Sequence, residues 1–146
     1  MLGEEVRGAV FVDAYAGSGA VGIEALSRGA RTVVFVEKDL KAVAVIRENL
    51  RLLGVEGRGL VVAKAAARGM RGAEADIVFL DPPYGARQEY EAALGVLGAS
   101  PPGVVVVEHD RRMELAAAYG GLARERVLRQ GDSCLSFYRR RAILEP

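Results

Sequence analysis

A chain of 146 residues with 51% apolar side chains is the length of one domain and can bury a sizeable core. No apolar run reaches the roughly 18 residues that span a bilayer. The opening MLGEEVRGA lacks the basic stretch and apolar block of a secretion signal, and a single cysteine, Cys134, cannot close an internal disulfide. These features exclude membrane-spanning and disulfide-stapled classes; they predict one soluble cytoplasmic domain over residues 1–146, with a monomer as the expected state.

The formal charge of +1 announces no polyanionic partner, but its distribution is uneven. Between Arg111 and Arg141 eight arginines face three acids, Glu114, Glu125 and Asp132. Such a basic C-terminal third could meet phosphates, or it could solvate a helix and a strand. In chain order, Ala9-Val10-Phe11-Val12-Asp13 reads as a buried strand, followed by glycines and an apolar helix from about Ala20 to Arg28 that Gly29 stops. Thr32 to Glu37 is a second, β-branched strand. Leu40, Val43, Ile46, Leu50 and Leu53 then recur at the spacing of an amphipathic helix, closed by Gly54. Leu60–Ala63 and Asp76–Asp81 read as strands three and four, Gln88–Leu97 as a helix, Gly103–Glu108 as strand five and Met113–Tyr119 as a further helix. Ala123–Leu128 and Cys134–Arg140 flank Gln130-Gly131-Asp132, a hairpin turn.

Alternating apolar strands and helices predict an α/β fold, Rossmann-like, with a mostly parallel sheet and a C-terminal antiparallel hairpin. Ligands of such sheets bind beyond the carboxyl ends of the strands. Four strands here end in an acid: Asp13, Glu37, Asp81 and Glu108. Packing does not require that pattern, whereas a shared crevice lip does.

Gly17-Ser18-Gly19-Ala20-Val21-Gly22 matches G-x-G-x-x-G between a strand and a helix, with Glu37 20 residues beyond the first glycine. Taken alone the motif reports a close backbone approach, and it could be a tight turn without a ligand. The discriminator is Asp13, a carboxylate poorly placed beside a pyrophosphate but attractive to the ammonium and sulfonium of S-adenosylmethionine. A nicotinamide dinucleotide is thereby disfavoured, and Glu37 suits the ribose of either cofactor.

Asp81-Pro82-Pro83-Tyr84 follows strand four. Two prolines would end a strand on their own account, but termination requires neither the aspartate nor the tyrosine. Rigid prolines can hold the Pro82 carbonyl towards the crevice without later reorganisation. With the Asp81 carboxylate it makes two acceptors for the two N–H donors of an exocyclic amine. Tyr84 would stack on the base, which must be single-stranded or flipped out to be reached. The combination predicts methyl transfer to a base amine.

The stretches DAYAGSGAVGIEALSRGA, FVEKD, IVFLDPPY and RQGDSCLSFYRRR resemble the RsmD-like family from about Leu2 to Arg140. These are bacterial methyltransferases of a guanine N2 in small-subunit ribosomal RNA. The resemblance implies a seven-stranded methyltransferase fold and S-adenosylmethionine as cofactor. The expected partner is ribosomal RNA, presented as the small subunit or an assembly intermediate of it. It implies that Asp13, Gly17 and Gly19 contact the cofactor and Glu37 its ribose, and that Asp81, Pro82, Pro83 and Tyr84 hold the guanine amine; Tyr15 reads either as a wall of the cofactor pocket or as a packing residue. The family's usual N-terminal basic segment and helix are expected to be missing, since Met1 aligns near that helix's end. Where such enzymes often carry an acid or amide for the adenine amine, this chain has Lys64-Ala65-Ala66, so backbone groups are expected to serve.

The rival chemistry is adenine-N6 methylation of DNA or RNA; the rival class is a non-catalytic RNA- or partner-binding module on the same fold. His109 reads as a loop residue near the crevice, Cys134 as a small core side chain, and Arg139–Arg141 as phosphate contacts or a solvated chain end. No metal site is expected, since Cys134 lacks companion ligands.

Overall fold

The computed structural model describes residues 2–72, 74–83 and 86–141. Five strands run parallel: β1 (Val10–Ala14), β2 (Thr32–Val36), β3 (Gly59–Val62), β4 (Ile77–Leu80) and β5 (Val104–Asp110). A hairpin of β7 (Leu122–Gln130) and β8 (Ser133–Arg140) adds antiparallel strands, with β8 against β5, and the two-residue β6 (Ala118–Tyr119) pairs with the start of β7. The order is β3-β2-β1-β4-β5-β8-β7-β6, which makes eight strands rather than the expected seven. The helices are α1 (Ala20–Ser27), α2 (Leu40–Leu52), the short α3 (Ala66–Gly69) and α4 (Arg87–Ala99).

The inner parallel strands β1, β2, β4 and β5 are largely buried on both faces, which is why they read as continuous apolar runs, whereas the edge strand β3 leaves Leu60 exposed. One core lies under α3 and α4 and includes Val12, Val78, Leu94, Val105 and Tyr138. The other lies under α1 and α2 and includes Phe11, Leu26, Phe35, Ile46 and Phe137. Within α2 the apolar stripe is narrower than its sequence period suggests. Val43, Ile46 and Leu50 are buried, but Leu40 and Leu53 are 72% and 59% exposed.

The helix expected over Met113–Tyr119 is absent. A segment this short cannot pay for its own helical nucleus, and its backbone groups are taken by side chains from elsewhere. The carbonyls of Glu114, Leu115 and Ala116 accept from Arg87 (3.0 Å), Arg124 (3.2 Å) and the Tyr138 hydroxyl (2.7 Å). The Ala116 N–H donates to the Tyr119 hydroxyl. The chain then turns at Gly120, which packs against the backbone of Gly98 in α4.

From β1 the chain steps to β2 and β3 on one side and later to β4 and β5 on the other, so the order reverses between β1 and β4. Loops on the two sides diverge there and leave a crevice at the carboxyl ends, the place where open α/β sheets bind ligands.

Candidate functional site

Register brings the four acids together. Ala14 pairs with both Val36 and Leu80, and Leu80 pairs with Val107. One step further on, Glu37, Tyr15, Asp81 and Glu108 form a single row across β2, β1, β4 and β5. Glu108 lies within β5 rather than at its end, because pairing with β8 prolongs the strand to Asp110.

Asp13 lies beneath this row, 2% exposed, and its carboxylate accepts the Gly22 N–H of α1 at 2.9 Å. The acid therefore satisfies one of the unpaired donors at the start of the helix. Burial pushes its pKa up to about 7, against the effect of the Gly22 bond, and the charges of Asp81 and Glu37 raise it further. Glu37 ties the glycine loop to β2. One oxygen accepts from the Gly17 N–H and the other from the Asp39 N–H, both at 2.9 Å. Gly17 has φ +57° and open space where a side chain would stand. Gly19 precedes α1 at φ +84°. Gly22 answers to packing: a Cβ there would collide with the Phe35 ring and approach Val33 to 2.8 Å.

Tyr15 holds φ +60°, a left-handed conformation unusual for a side chain of this size. Its hydroxyl donates to Glu89 of α4 at 2.8 Å, and burial with the Glu89 bond lifts its pKa well above the ordinary tyrosine value. Tyr15, Glu37, Lys64, Ala65, Ala66, Asp81 and Pro83 are among the residues that line a pocket of about 200 Å³.

On the other side of Asp81 opens a second cavity of about 470 Å³, lined by Asp81, Pro82, Tyr90, Glu108, His109 and Asp110, with Arg111, Arg112, Asp132 and Ser133. The Asp81 and Glu108 carboxyls hydrogen-bond to each other; burial, then the Glu108 charge and that bond, push the Asp81 pKa up to about 6. The Tyr90 hydroxyl anchors α4 on the Glu108 carbonyl at 2.9 Å. Pro82 is buried and lines the cavity, while the Pro83 carbonyl accepts the Ala86 N–H at 3.1 Å. Tyr84 lies outside the described residues.

Two features escaped the sequence reading. His109 is not a loop residue. It is buried within β5, and its ring nitrogens meet the Asp110 carbonyl (2.9 Å) and the Ser136 hydroxyl of β8 (2.7 Å). The carbonyl can only accept, so Nδ1 carries a proton. Secondly, the basic C-terminal third is split. Arg111 and Arg112 line the larger cavity, whereas Arg139 sits beside Val104 at the opposite edge of the sheet. There it bonds Glu5 and Glu125, and Arg140 and Arg141 donate to the carbonyls of Pro101 and Gly120. These three are occupied structurally, far from the crevice.

Among the described residues no helix is long and apolar enough to cross a membrane, and no group of side chains is placed to hold a metal ion.

Known proteins with the same pattern are numerous. The family model described as conserved hypothetical protein 95 matches residues 1–139. YlbH of Bacillus subtilis, named a candidate rRNA methyltransferase, is 35% identical over 150 residues, covering 97% of this chain and 81% of that protein. The ribosomal RNA small subunit methyltransferase D of Escherichia coli is 36% identical over 74 residues, covering 50% of this chain and 37% of that one. Among solved structures, the candidate methyltransferase yhhF of Escherichia coli superposes with a TM-score of 0.84 at 28% identity, covering 97% of this chain and 81% of its own.

Proposed function

The chain belongs to the conserved hypothetical protein 95 family, the RsmD-like methyltransferases, and from that premise we propose that it methylates the exocyclic N2 of a guanine in small-subunit ribosomal RNA, with S-adenosylmethionine as donor. The observation that carries this reading is the position of Asp81. It lines both the 200 Å³ pocket beside Glu37 and the 470 Å³ cavity, which supports reading the first as the donor site and the second as the acceptor site.

The donor pocket suits a cation. Burial chiefly, and then the charges of Asp81 and Glu37, hold the Asp13 pKa up at about 7. A sulfonium and an ammonium would relieve that repulsion, while a pyrophosphate would add to it. Glu37 still has lone pairs to accept ribose hydroxyls while holding Gly17 and Asp39. Tyr15, Gly17 and Gly19 would wall the cofactor, with backbone groups near Ala65 on its adenine. Asp13 would act through its charge and through the α1 start that it braces.

When bound, the donor supplies an electrophilic methyl, whose bond to sulfur breaks as the bond to nitrogen forms and leaves a neutral thioether. Asp81 and the Pro82 carbonyl would accept the two N2–H bonds, turning the nitrogen lone pair out of conjugation and towards that methyl. The excess proton on the methylated nitrogen can leave to the Asp81 carboxylate, whose raised pKa of about 6 makes it a better acceptor than an ordinary aspartate. Tyr84 would stack on the base.

The test is labelled methyl transfer to small subunits from cells lacking their own enzyme, followed by digestion to nucleosides. Label in N2-methylguanosine that disappears with Asp81→Ala supports the reading. Label on adenine, or label that survives Asp81→Ala, contradicts it.

A further inference from the structure

The larger cavity has a second acid that the proposed chemistry does not use. Glu108 stands beside Asp81 in register, bonds to it, and lines the same cavity as Pro82. Its backbone is fixed on both sides. β5 is flanked by β4 and β8, and the Glu108 carbonyl accepts the buried Tyr90 hydroxyl at 2.9 Å. Arg111 and Arg112 line the same cavity, with Arg112 paired to Asp110 at 3.0 Å, so Arg111 brings a cation for a phosphate beside an acceptor-rich wall.

We propose that Glu108 reads the N1–H of the target guanine and thereby sets the choice of base; this rests on the reading of the site as a guanine-N2 methyltransferase. Guanine presents the N2 amine and, next to it, the N1–H, a continuous row of donors. Asp81 and Pro82 take the amine, and the neighbouring carboxylate is the acceptor that the remaining donor requires. Adenine offers an amine of similar shape, but its adjacent ring nitrogen is an acceptor. Against Glu108 that nitrogen would set a lone pair towards a half-buried carboxylate and leave the carboxylate without a donor. A site built to bond an N–H rejects the analogue that lacks it more strongly than a pocket of matching shape could. The same wall that favours guanine therefore excludes adenine, with no recognition domain needed.

The probe is 2-aminopurine, which keeps the N2 amine and has a bare N1. The methylated guanine is mapped first, and small subunits are then reconstituted with RNA carrying guanine or 2-aminopurine at that position. The native chain should methylate the 2-aminopurine subunits about 10- to 100-fold more slowly than the guanine subunits. Glu108→Gln, whose amide can donate to a bare N1, should narrow that ratio to within about threefold. Equal rates on the two substrates by the native chain overturn the proposal without any variant, as does a Glu108→Gln chain that keeps the native preference. A native chain that methylates no guanine at all would instead overturn the underlying function.

Discussion

On the β1–β2 side of the crevice the acids are already committed to the protein itself. Asp13 braces the start of α1 through Gly22, and Glu37 divides its oxygens between Gly17 and Asp39. On the β4–β5 side Asp81 and Glu108 stand side by side on the wall of a cavity large enough for a base. The first pair shapes a bed and sets its charge, and the second pair faces what reacts. Four carboxylates at one address thus divide into scaffold and chemistry. The division follows from what each strand has for a neighbour: β1 leads into the glycine loop and α1, β2 into Asp39 and α2, β4 into paired prolines, and β5 pairs with β8.

That contrast can be broken by the same substitution on either side. Asp81→Asn keeps shape and one acceptor oxygen but removes the carboxylate that takes the excess proton, so kcat should fall by about 100-fold or more. Its thermal midpoint and donor affinity should change far less. Asp13→Asn keeps an acceptor for Gly22 and removes a buried charge. The ligand-free chain should then be as stable as the native one at pH 8 or more so, with donor affinity reduced by about tenfold. Equal effects of the two variants on kcat, read beside calorimetric donor binding, would erase the distinction.

The pH dependence sharpens the contrast. Asp13 and Asp81 titrate at about 7 and about 6 in the folded chain, above the ordinary carboxylate value of 3.8. Between those values the folded chain holds protons that an unfolded chain has released. Stability of the ligand-free protein should therefore fall as pH rises from about 4 to 7. A cationic donor favours the ionised acids, so its affinity should rise over about pH 6 to 8, with protons released on binding. Titration calorimetry in buffers of different ionisation enthalpy reads that release. Affinity that falls with pH would contradict the account.

The smallest effect belongs to the far edge of the sheet. Arg139→Ala removes exposed ion pairs to Glu5 and Glu125 and should cost at most about 1 kcal/mol in stability. RNA affinity should be unaffected. Arg111→Ala should instead weaken RNA binding and lower its salt slope by about one. Filter binding across a salt series separates the two.

Much of this was legible in the chain. The strands before Glu37 and Asp81 announced themselves because inner parallel strands are buried on both faces and turn polar where the sheet ends, and Asp13 marked β1 from one residue inside its end. Glycine spacing located the loop, and the two prolines after Asp81 located the cavity wall. What stayed hidden depended on distant partners. Glu114, Leu115 and Ala116 do not propagate a helix because Arg87, Arg124 and Tyr138 claim their carbonyls, and nothing near Met113 encodes that. His109 looked like part of a polar loop because Glu108 and Asp110 flank it; only β8 supplies Ser136 and carries β5 onward. The short α3 did leave a signal, a run of alanines from Ala65 to Ala67 with high helix propensity. The bracing of Gly22 by Asp13 and of Gly17 by Glu37 was beyond any local pattern, since those donors lie nine and 20 residues away.

The most direct measurement is a structure of the chain with an unreactive analogue of S-adenosylmethionine and a guanine nucleotide. The account predicts the guanine N2 held by the Asp81 carboxylate and the Pro82 carbonyl, about 3–3.5 Å from the methyl position of the donor. An Asp81 side chain turned away from that nitrogen, or a donor lying outside the pocket between Glu37 and Asp81, would contradict it.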